Sequence, residues 1–549
     1  MTVFKSKQRP FPIPDIDIYS FLFQPNEFNT IRPQNRPLLI DGITNKSVSF
    51  KEARELSGKL AIGWKQHVGL KKGDVVAIFA PNQYNHAVLY FSLLAAQCII
   101  TPGNPNYTEA EFNHQIQKSG AKVIITVPTL LPVLLKVAIK NNISRDKLFL
   151  FGNETVDGIK PFSSIAATQD NTLQIPLQGI HPANDLAFIC FSSGTTGVAK
   201  GVMLTHRNFV SQIMMVTDFE QTDATQMDDV IIGFLPFFHI FGLTTLVFRA
   251  FYTNTPVVVI PKFNLQLVCQ LIERYKITIG PLVPPIVVQF AKEDVVLKYD
   301  LTSLKMISSG AAPLRSEHID ALQLRIKASI RQGYGMTETT AGCIYQKVGK
   351  NCPGSTGVLL ANMECKIVDE EGNELGPDQT GEILLKGPVI MKGYLNDDKA
   401  NSEIFTKDGW MRTGDIAKLD SKSGEFFIID RIKEVIKYKG FQVPPAELEA
   451  ILITSSIIAD CAVIGVYDNT QATELPRAYI TLKPGYIPSE ETAQEIMKYV
   501  ADRVVPYKQI RSVRFIDVIP KSASGKILRR VLRDAAHAEE KTILNKARL

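Results

Sequence analysis

A chain of 549 residues is too long to fold around a single core, so two or more domains are expected. Its 45% apolar and 21% charged residues are ordinary for a soluble globular protein and argue against a disordered or fibrous chain. A net charge of +6, with no run of Lys and Arg interleaved with aromatics, argues against a nucleic-acid binder. The seven cysteines lack a C-x-x-C pair and the eight histidines lack an H-x-x-x-H pattern, which argues against a disulfide scaffold or a structural zinc site and fits a reducing compartment.

Taken in order, Met1–Ile18 holds three prolines and no apolar core, so no secretory signal is read there. Residues 36–190 alternate between helical and strand patterns. Leu38–Gly42 reads as a strand and turn, Ser49 precedes a helix from Phe50 to His67, and Val75–Ala80 reads as a buried parallel strand. His86–Ala96 and Glu109–Lys118 read as helices, with strands at Cys98–Ile100 and Val123–Thr126. This alternation predicts an α/β fold of layered subdomains. The apolar stretch Val123–Ala138 is broken by Pro128, Pro132 and Lys136, so it is not expected to span a membrane.

The apolar run Leu186–Cys190 then enters Phe191-Ser192-Ser193-Gly194-Thr195-Thr196-Gly197-Val198-Ala199-Lys200-Gly201. A strand that runs into a Gly/Ser/Thr loop is suited to wrap an anion. Glycines let the backbone approach, its N–H groups and the hydroxyls point at phosphate oxygens, and Lys200 adds a mobile positive charge. The order differs from a Walker A loop, because Lys200 precedes its glycine. A solvated polar turn is the plain alternative.

Further strands are expected at Val230–Leu235, Val257–Ile260, Ile277–Gly280, Met306–Ser309 and from Ile330, with an amphipathic helix at Leu265–Tyr275. Gly354–Leu419 has short strands and glycine turns and reads as a β-rich subdomain. Charge is dense at Asp430–Lys433, where a boundary is placed. Residues 434–549 are expected to form a small, mobile α+β domain, with a helix from Glu490 to Val505 capped by Ser489. The chain ends in a polar segment expected to be mobile, then Ala547-Arg548-Leu549. That tripeptide resembles a variant of the Ser-Lys-Leu peroxisomal address, so a peroxisomal location and an import receptor as partner are expected, with an ordinary basic tail and a cytoplasmic location as the alternative.

Five motifs stand in order: the 192–201 loop, Tyr334-Gly335-Met336-Thr337-Glu338, Thr413-Gly414-Asp415, the stretch from Asp430-Arg431 through Lys437-Tyr438-Lys439-Gly440-Phe441-Gln442 to Glu447, and Pro520-Lys521-Ser522-Ala523-Ser524-Gly525-Lys526. Over residues 35–530 the chain resembles the adenylate-forming superfamily of acyl-CoA synthetases, adenylation domains and beetle-type luciferases. It is most similar there to 4-coumarate–CoA ligases and related peroxisomal acyl-CoA ligases. The resemblance implies an N-terminal domain of residues 1–430, a hinge at 431–433 and a C-terminal lid of residues 434–549. It also implies ATP, Mg²⁺ and coenzyme A as cofactors, and an acid activated as an acyl-adenylate before a thiol displaces AMP.

By the same resemblance, Ser192, Ser193, Gly194, Thr195, Thr196, Gly197 and Lys200 cradle the β- and γ-phosphates. Thr337 meets the α-phosphate and Glu338 holds Mg²⁺; a carboxylate beside phosphate needs such a bridging cation. Gln332, Gly333 and Tyr334 form the adenine slot together with Gly310–Pro313, and Asp415 and Arg431 hold the ribose. Lys526 bridges carboxylate and α-phosphate during adenylation. After a swing about Lys433 the lid brings Lys437 and Gln442 to the site instead, and Lys439, Gly440 and Lys262 contact coenzyme A. His239 borders the carboxylate and gates the thiol path. Phe241, Thr245, Ala311, Gly333 and Tyr345 join His239 in lining the acid pocket.

Phe241 stands where 4-coumarate–CoA ligases often have tyrosine, and Thr339–Tyr345 departs from their usual continuation. The acid is therefore left open among cinnamates, phenylacetate-like acids and medium-chain fatty acids. Two other functions also stay open: adenylation with a different acceptor (oxygen, as in luciferases, or a carrier protein), and nucleotide binding without catalysis.

Overall fold

Buried strands form where β-branched and aromatic residues run together: Val75–Phe79 and Val257–Val259 are buried at every position. The computed structural model describes residues 2–546 except 30–32, 169–178, 193–198, 222–227, 311–313, 315, 350–351, 439–440, 469–470, 472 and 523–524. Ser193, Gly194, Thr195, Thr196, Gly197, Ala311, Lys439, Gly440 and the terminal Ala547-Arg548-Leu549 lie outside the described residues, as does the side chain of Gln442. The chain divides into two units. The larger is Phe4–Glu364 with Leu385–Met411; the smaller is Met1–Val3, Cys365–Leu384 and Arg412–Leu549.

In the larger unit, one seven-stranded sheet runs in the order Gly393–Tyr394, Lys200–Thr205, Leu186–Ser192, Ile99–Gly103, Val75–Phe79, Val123–Thr126, Leu148–Leu150. A nine-stranded sheet runs Val358–Leu359, Ala341–Tyr345, Ser329–Met336, Met306–Ser309, Ile279–Leu282, Ile231–Gly233, Val257–Val259, Pro37–Asp41, Ser47–Ser49. The inner strands are parallel and helices connect them, as the alternating pattern predicts. Ile231–Gly233 lies between Val257–Val259 and Ile279–Leu282, so successive crossovers leave it on opposite sides. Such a switch point opens a crevice at the strand's carboxyl end, and Pro236–Gly242 follows there in the chain.

The helix expected after Ser49 spans Phe50–Gln66, and a capping box with Glu52 fixes its start. Thr108 and Glu111 do the same for Glu109–Ser119. Pro128 begins a short 3₁₀ turn, and Pro132 sits in the first turn of Leu131–Lys140, where its missing N–H costs nothing. The helix His206–Gln221 and the wide π-helical segment Leu243–Arg249 are additions to the sequence expectation. The helix from Glu490 stops at Ala501 rather than Val505; Pro506 disfavours a helical backbone at the residue before it.

Gly354–Leu419 is rich in short strands, but they are shared among three sheets rather than gathered in one. Val358–Leu359 and Gly393–Tyr394 edge the two sheets above. Glu364–Val368, Thr380–Lys386 and Met411–Leu419 run in that order with Phe426–Arg431 in another. The smaller unit also holds the sheet Ile458–Asp468, Thr473–Leu482, Ser512–Phe515, whose core includes Leu448, Val463, Ile480 and Ile496. Its last segment is a helix, Arg529–Lys546, where a mobile polar tail was expected. Leu532 and Ala536, one turn apart, are buried against Ile464, Tyr479 and Ile519, and Glu539 pairs with Arg477 and Arg514. Among the described residues no helix is long and apolar enough to cross a membrane.

Candidate active site

Leu186–Ser192 and Lys200–Thr205 pair antiparallel with Ser192 opposite Lys200, so the Gly/Ser/Thr segment is the connection of a hairpin. Gly393–Tyr394 adds to the far side of that hairpin, with Tyr394 opposite Val202. Glu338 arrives from the other sheet, in the turn Thr337–Thr339 that ends the strand Ser329–Met336. The turn is fixed by Met336 N donating to Thr339 Oγ1 (2.9 Å) and Met391 N donating to the Glu338 carbonyl (2.9 Å).

These three segments converge on one carboxylate. Ser192 Oγ donates to Glu338 Oε1 at 3.1 Å and the Tyr394 hydroxyl donates to the same oxygen at 2.9 Å. Lys200 Nζ lies 5.0 Å from the centre of the Tyr394 ring. Glu338 is 5% exposed, and burying a carboxylate this far requires such donors. Among the described residues both of these donors land on Oε1 rather than Oε2. Among the described residues no cluster of three or more His, Cys, Asp or Glu forms a metal cage. Mg²⁺ serving a polyphosphate needs only one or two carboxylates beside phosphate oxygens and water, and Glu338 fits that requirement. Tyr394 is a residue that the motifs alone do not disclose.

A second group lies at the switch point. His239 caps the short helix Ile240–Gly242: its Nδ1 accepts from Phe241 N at 3.3 Å and its carbonyl from Leu243 N at 2.9 Å. Phe241 packs beside Gly310, and Thr245 follows on the π-helical segment. Gly333 lies opposite Tyr345 in the antiparallel pair that closes this region. Phe241, Thr245, Gly310, Gly333, Gly342 and Tyr345 are each partly accessible while most of their neighbours are buried. Gln332 is buried beneath it, with Oε1 accepting from Leu314 N and its own N donating to Gln346 Oε1, both at 2.8 Å. Tyr334 is half-buried next to it.

The smaller unit holds a third group. Asp415 and Arg431 face each other across the pair Met411–Leu419 and Phe426–Arg431, with Arg431 Nε 3.0 Å from Asp415 Oδ1. Asp415 is buried, and its N–H donates to Thr413 Oγ1 at 3.1 Å. The Lys526 turn is tied by Ser522 N donating to the Lys526 carbonyl (2.8 Å) and Lys526 N donating to Ser522 Oγ (3.2 Å). Burial and the neighbouring Arg431 push the Lys526 ammonium down to about 8, against the opposing pull of Glu434 and Asp415. The structure thus brings Lys526 to Arg431 and Asp415, which lie far earlier in the chain.

Lys433 and Lys437 are exposed; Lys437 is opposite Gln442 in a two-stranded ribbon, and its backbone N–H donates to Glu474 Oε2 at 2.7 Å. Lys262 is exposed on the loop after Val257–Val259. None of these three lysines is drawn into the groups above by a described contact.

The AMP-binding enzyme model matches residues 27–395, and the model of the AMP-binding enzyme C-terminal domain matches residues 447–526. The chain belongs to the AMP-binding enzyme family. Within this family it is 38% identical over 547 residues to 4-coumarate-CoA ligase 1 of Narcissus pseudonarcissus, covering 98% of this chain and 97% of that one. It is 40% identical over 543 residues to 4-coumarate--CoA ligase 3 of Oryza sativa subsp. japonica, covering 97% and 95%. Among solved AMP-binding enzymes it is similar to ATP-bound MatB from Rhodopseudomonas palustris, with 25% identity, a TM-score of 0.83, and 94% and 98% of the two chains covered.

Proposed function

We propose that this AMP-binding enzyme is an ATP-dependent acid–thiol ligase that converts an aryl or medium-chain carboxylic acid to its CoA thioester through an acyl-adenylate. The observation that carries the reading is full-length similarity to 4-coumarate–CoA ligases combined with the convergence of Ser192 and Tyr394 on Glu338, with Lys200 over the Tyr394 ring.

A carboxylate is a poor electrophile until its oxygen becomes part of a good leaving group. Its attack on the α-phosphate of ATP breaks the bond to the β-phosphate, releases pyrophosphate and leaves acyl-AMP; a thiolate then attacks the acyl carbon and AMP departs. The first step concentrates negative charge, so preorganised donors and cations supply most of the stabilisation. Lys200 and the Ser192 hydroxyl stand at the mouth of the hairpin to receive the outer phosphates. Glu338 Oε2 would hold Mg²⁺, which when bound neutralises charge on the phosphate oxygens. Asp415, oriented by Arg431, accepts from the ribose hydroxyls. Lys526 places its ammonium between the carboxylate oxygen and the α-phosphate. His239, held by its Nδ1 contact, borders the acid.

The lid of residues 434–549, turning about 431–433, would exchange Lys526 for Lys437 and Gln442 in the thiol step, with Lys262, Lys439 and Gly440 toward coenzyme A. One lid with two faces lets two chemically different steps share a pocket. The test is pyrophosphate release with ATP and Mg²⁺ across a panel of acids, with and without coenzyme A. Sustained turnover that requires both an acid and coenzyme A is expected. Release without thioester formation would move the protein to another acceptor, and no acid-dependent release at all would end the ligase reading.

A further inference from the structure

The hairpin that carries Ser192 and Lys200 is braced by a helix outside the sequence motifs. That helix, Glu109–Ser119, is itself fixed at several points. Thr108 and Glu111 cap its start, and Phe112 is fully buried edge-on to Phe79, with ring centres 4.7 Å apart. Asn113 Oδ1 accepts from Asn141 Nδ2 at 2.9 Å. Gln115 is buried, and its Nε2 donates to Thr101 Oγ1 at 2.8 Å and to the Pro102 carbonyl at 3.2 Å. Thr101 and Pro102 belong to Ile99–Gly103, the strand next to Leu186–Ser192 in the seven-stranded sheet. A side chain mounted on an element held this way keeps its place better than one on a loop.

His114 stands between these anchors and reaches the hairpin instead. Its Nε2 lies 3.0 Å from the Ala199 carbonyl oxygen. A carbonyl only accepts, so Nε2 carries the proton and donates it. The same ring meets Phe191 edge to face, with 6.1 Å between centres and 86° between planes. Phe191 precedes Ser192 on one strand, and Ala199 precedes Lys200 on the other; Ser192 is opposite Lys200, and Phe191 is opposite Gly201. One side chain therefore touches both limbs of the hairpin at the level of Ser192 and Lys200.

The contact with Ala199 bears on Lys200 through the peptide group they share. That group is planar, so holding the Ala199 carbonyl also holds the Lys200 nitrogen and limits how the lysine's Cα can turn. Gly201, next along the strand, lies against the same aromatic ring: a Cβ there would stand 3.3 Å from Phe191 Cζ and 3.0 Å from Ile189 Cγ2. Lys200 Nζ is 5.0 Å from the Tyr394 ring centre, and the Tyr394 hydroxyl donates to Glu338. The backbone of the lysine is thus set by His114, while its ammonium rests over Tyr394.

We propose that His114 is a positioning residue for the β- and γ-phosphates of ATP: by holding the Ala199–Lys200 peptide it aims the Lys200 ammonium, without touching the nucleotide itself. The inference rests on the reading of this hairpin as the outer-phosphate site and gives that site a support outside its own motif. It also separates positioning from folding. ATP should feel the loss of His114, whereas AMP and an acyl-adenylate, which lack those phosphates, should not.

The test uses the full-length protein. His114→Phe keeps a ring against Phe191 and removes the donor, His114→Gln keeps an N–H donor and removes the ring, and Lys200→Ala gives a background with nothing left to aim. Affinities for ATP and AMP are measured by calorimetry with Mg²⁺ present. His114→Phe should weaken ATP by about fivefold and AMP by less than about twofold, as expected for one lost hydrogen bond acting on the outer phosphates alone. His114→Gln should recover most of the ATP affinity. In the Lys200→Ala background, His114→Phe should cost little more, because both act through one group. Conversion of supplied acyl-adenylate to thioester should stay within about twofold of the parent rate. Equal weakening of ATP and AMP, a His114→Gln variant no better than His114→Phe, or losses that multiply in full with Lys200→Ala would overturn the proposal. If ATP and AMP separate as expected but no acid drives pyrophosphate release, the ligase reading falls and the positioning role stands.

Discussion

Glu338 in the larger unit and Lys526 in the smaller one are charged groups placed in opposite kinds of surroundings. Glu338 is an anion among groups that favour it: two hydroxyls donate to one oxygen, and Lys200 stands over the ring of one donor. Lys526 is a cation in mixed company, with Arg431 and Arg529 disfavouring its charge and Glu434 and Asp415 favouring it. On the proposed reading, an anchored carboxylate would serve as a fixed platform for a cation that arrives with nucleotide. A lysine whose charge is only weakly favoured gains most when a phosphate approaches, and its contribution is correspondingly concentrated in the step that develops negative charge.

The largest expected effect is at the lysine. Lys526→Ala should lower acid-dependent pyrophosphate release by about 10³-fold, roughly 4 kcal/mol, in keeping with loss of a preorganised electrostatic contact. The same variant should convert supplied acyl-adenylate to thioester within about threefold of the parent rate. Equal loss in both half-reactions would show that Lys526 holds the fold or serves both steps. Glu338→Gln comes next: it keeps shape and hydrogen bonding but removes charge, and should cost about 10²-fold in kcat/KM for ATP and raise the Mg²⁺ concentration at half-maximal rate. An unchanged Mg²⁺ dependence would detach Glu338 from the metal.

The contrast also predicts a pH signature. With its pKa near 8 in the free enzyme, Lys526 is charged below that pH and neutral above it. The kcat/KM for adenylation should therefore fall above pH 8 and approach a tenfold loss per pH unit, since this parameter reports the free enzyme. Thioester formation from supplied acyl-adenylate should lack that limb. Lys526→Arg, charged throughout, should move the limb upward even if its absolute rate is lower. A limb that stays in place would belong to another group.

Much of this site is legible in the sequence because its parts lie in short contiguous motifs. Ser192 and Lys200 flank one loop, Thr337 and Glu338 end one strand, and Lys526 closes one glycine turn, so residue type and spacing carry the signal. Tyr394 and His114 are built differently. Tyr394 reaches Glu338 only because its two-residue strand joins the edge of the hairpin sheet. His114 reaches Ala199 only because its helix packs beside the same hairpin, and nothing local links the two. The C-terminal helix was hidden for a related reason: among its described side chains only Leu532 and Ala536 are buried, too sparse an apolar pattern to stand out in a charged segment.

The smallest expected effect, that of Tyr394→Phe, tests whether Glu338 is held as tightly as its surroundings imply. The substitution removes one of the two hydrogen bonds that the described residues make to Oε1 and keeps the ring beneath Lys200. A single hydrogen bond is worth about 0.5–1.5 kcal/mol, so a two- to tenfold fall in adenylation rate is expected. If the hydroxyl merely fills space, kcat/KM for ATP should stay unchanged and Mg²⁺ dependence with it. If it positions the carboxylate, Mg²⁺ should bind more weakly in the variant while saturating Mg²⁺ restores most of the rate. Ser192→Ala should behave alike, and the double variant should lose more than the product of the two single losses, because Glu338 Oε1 would then be buried without a donor.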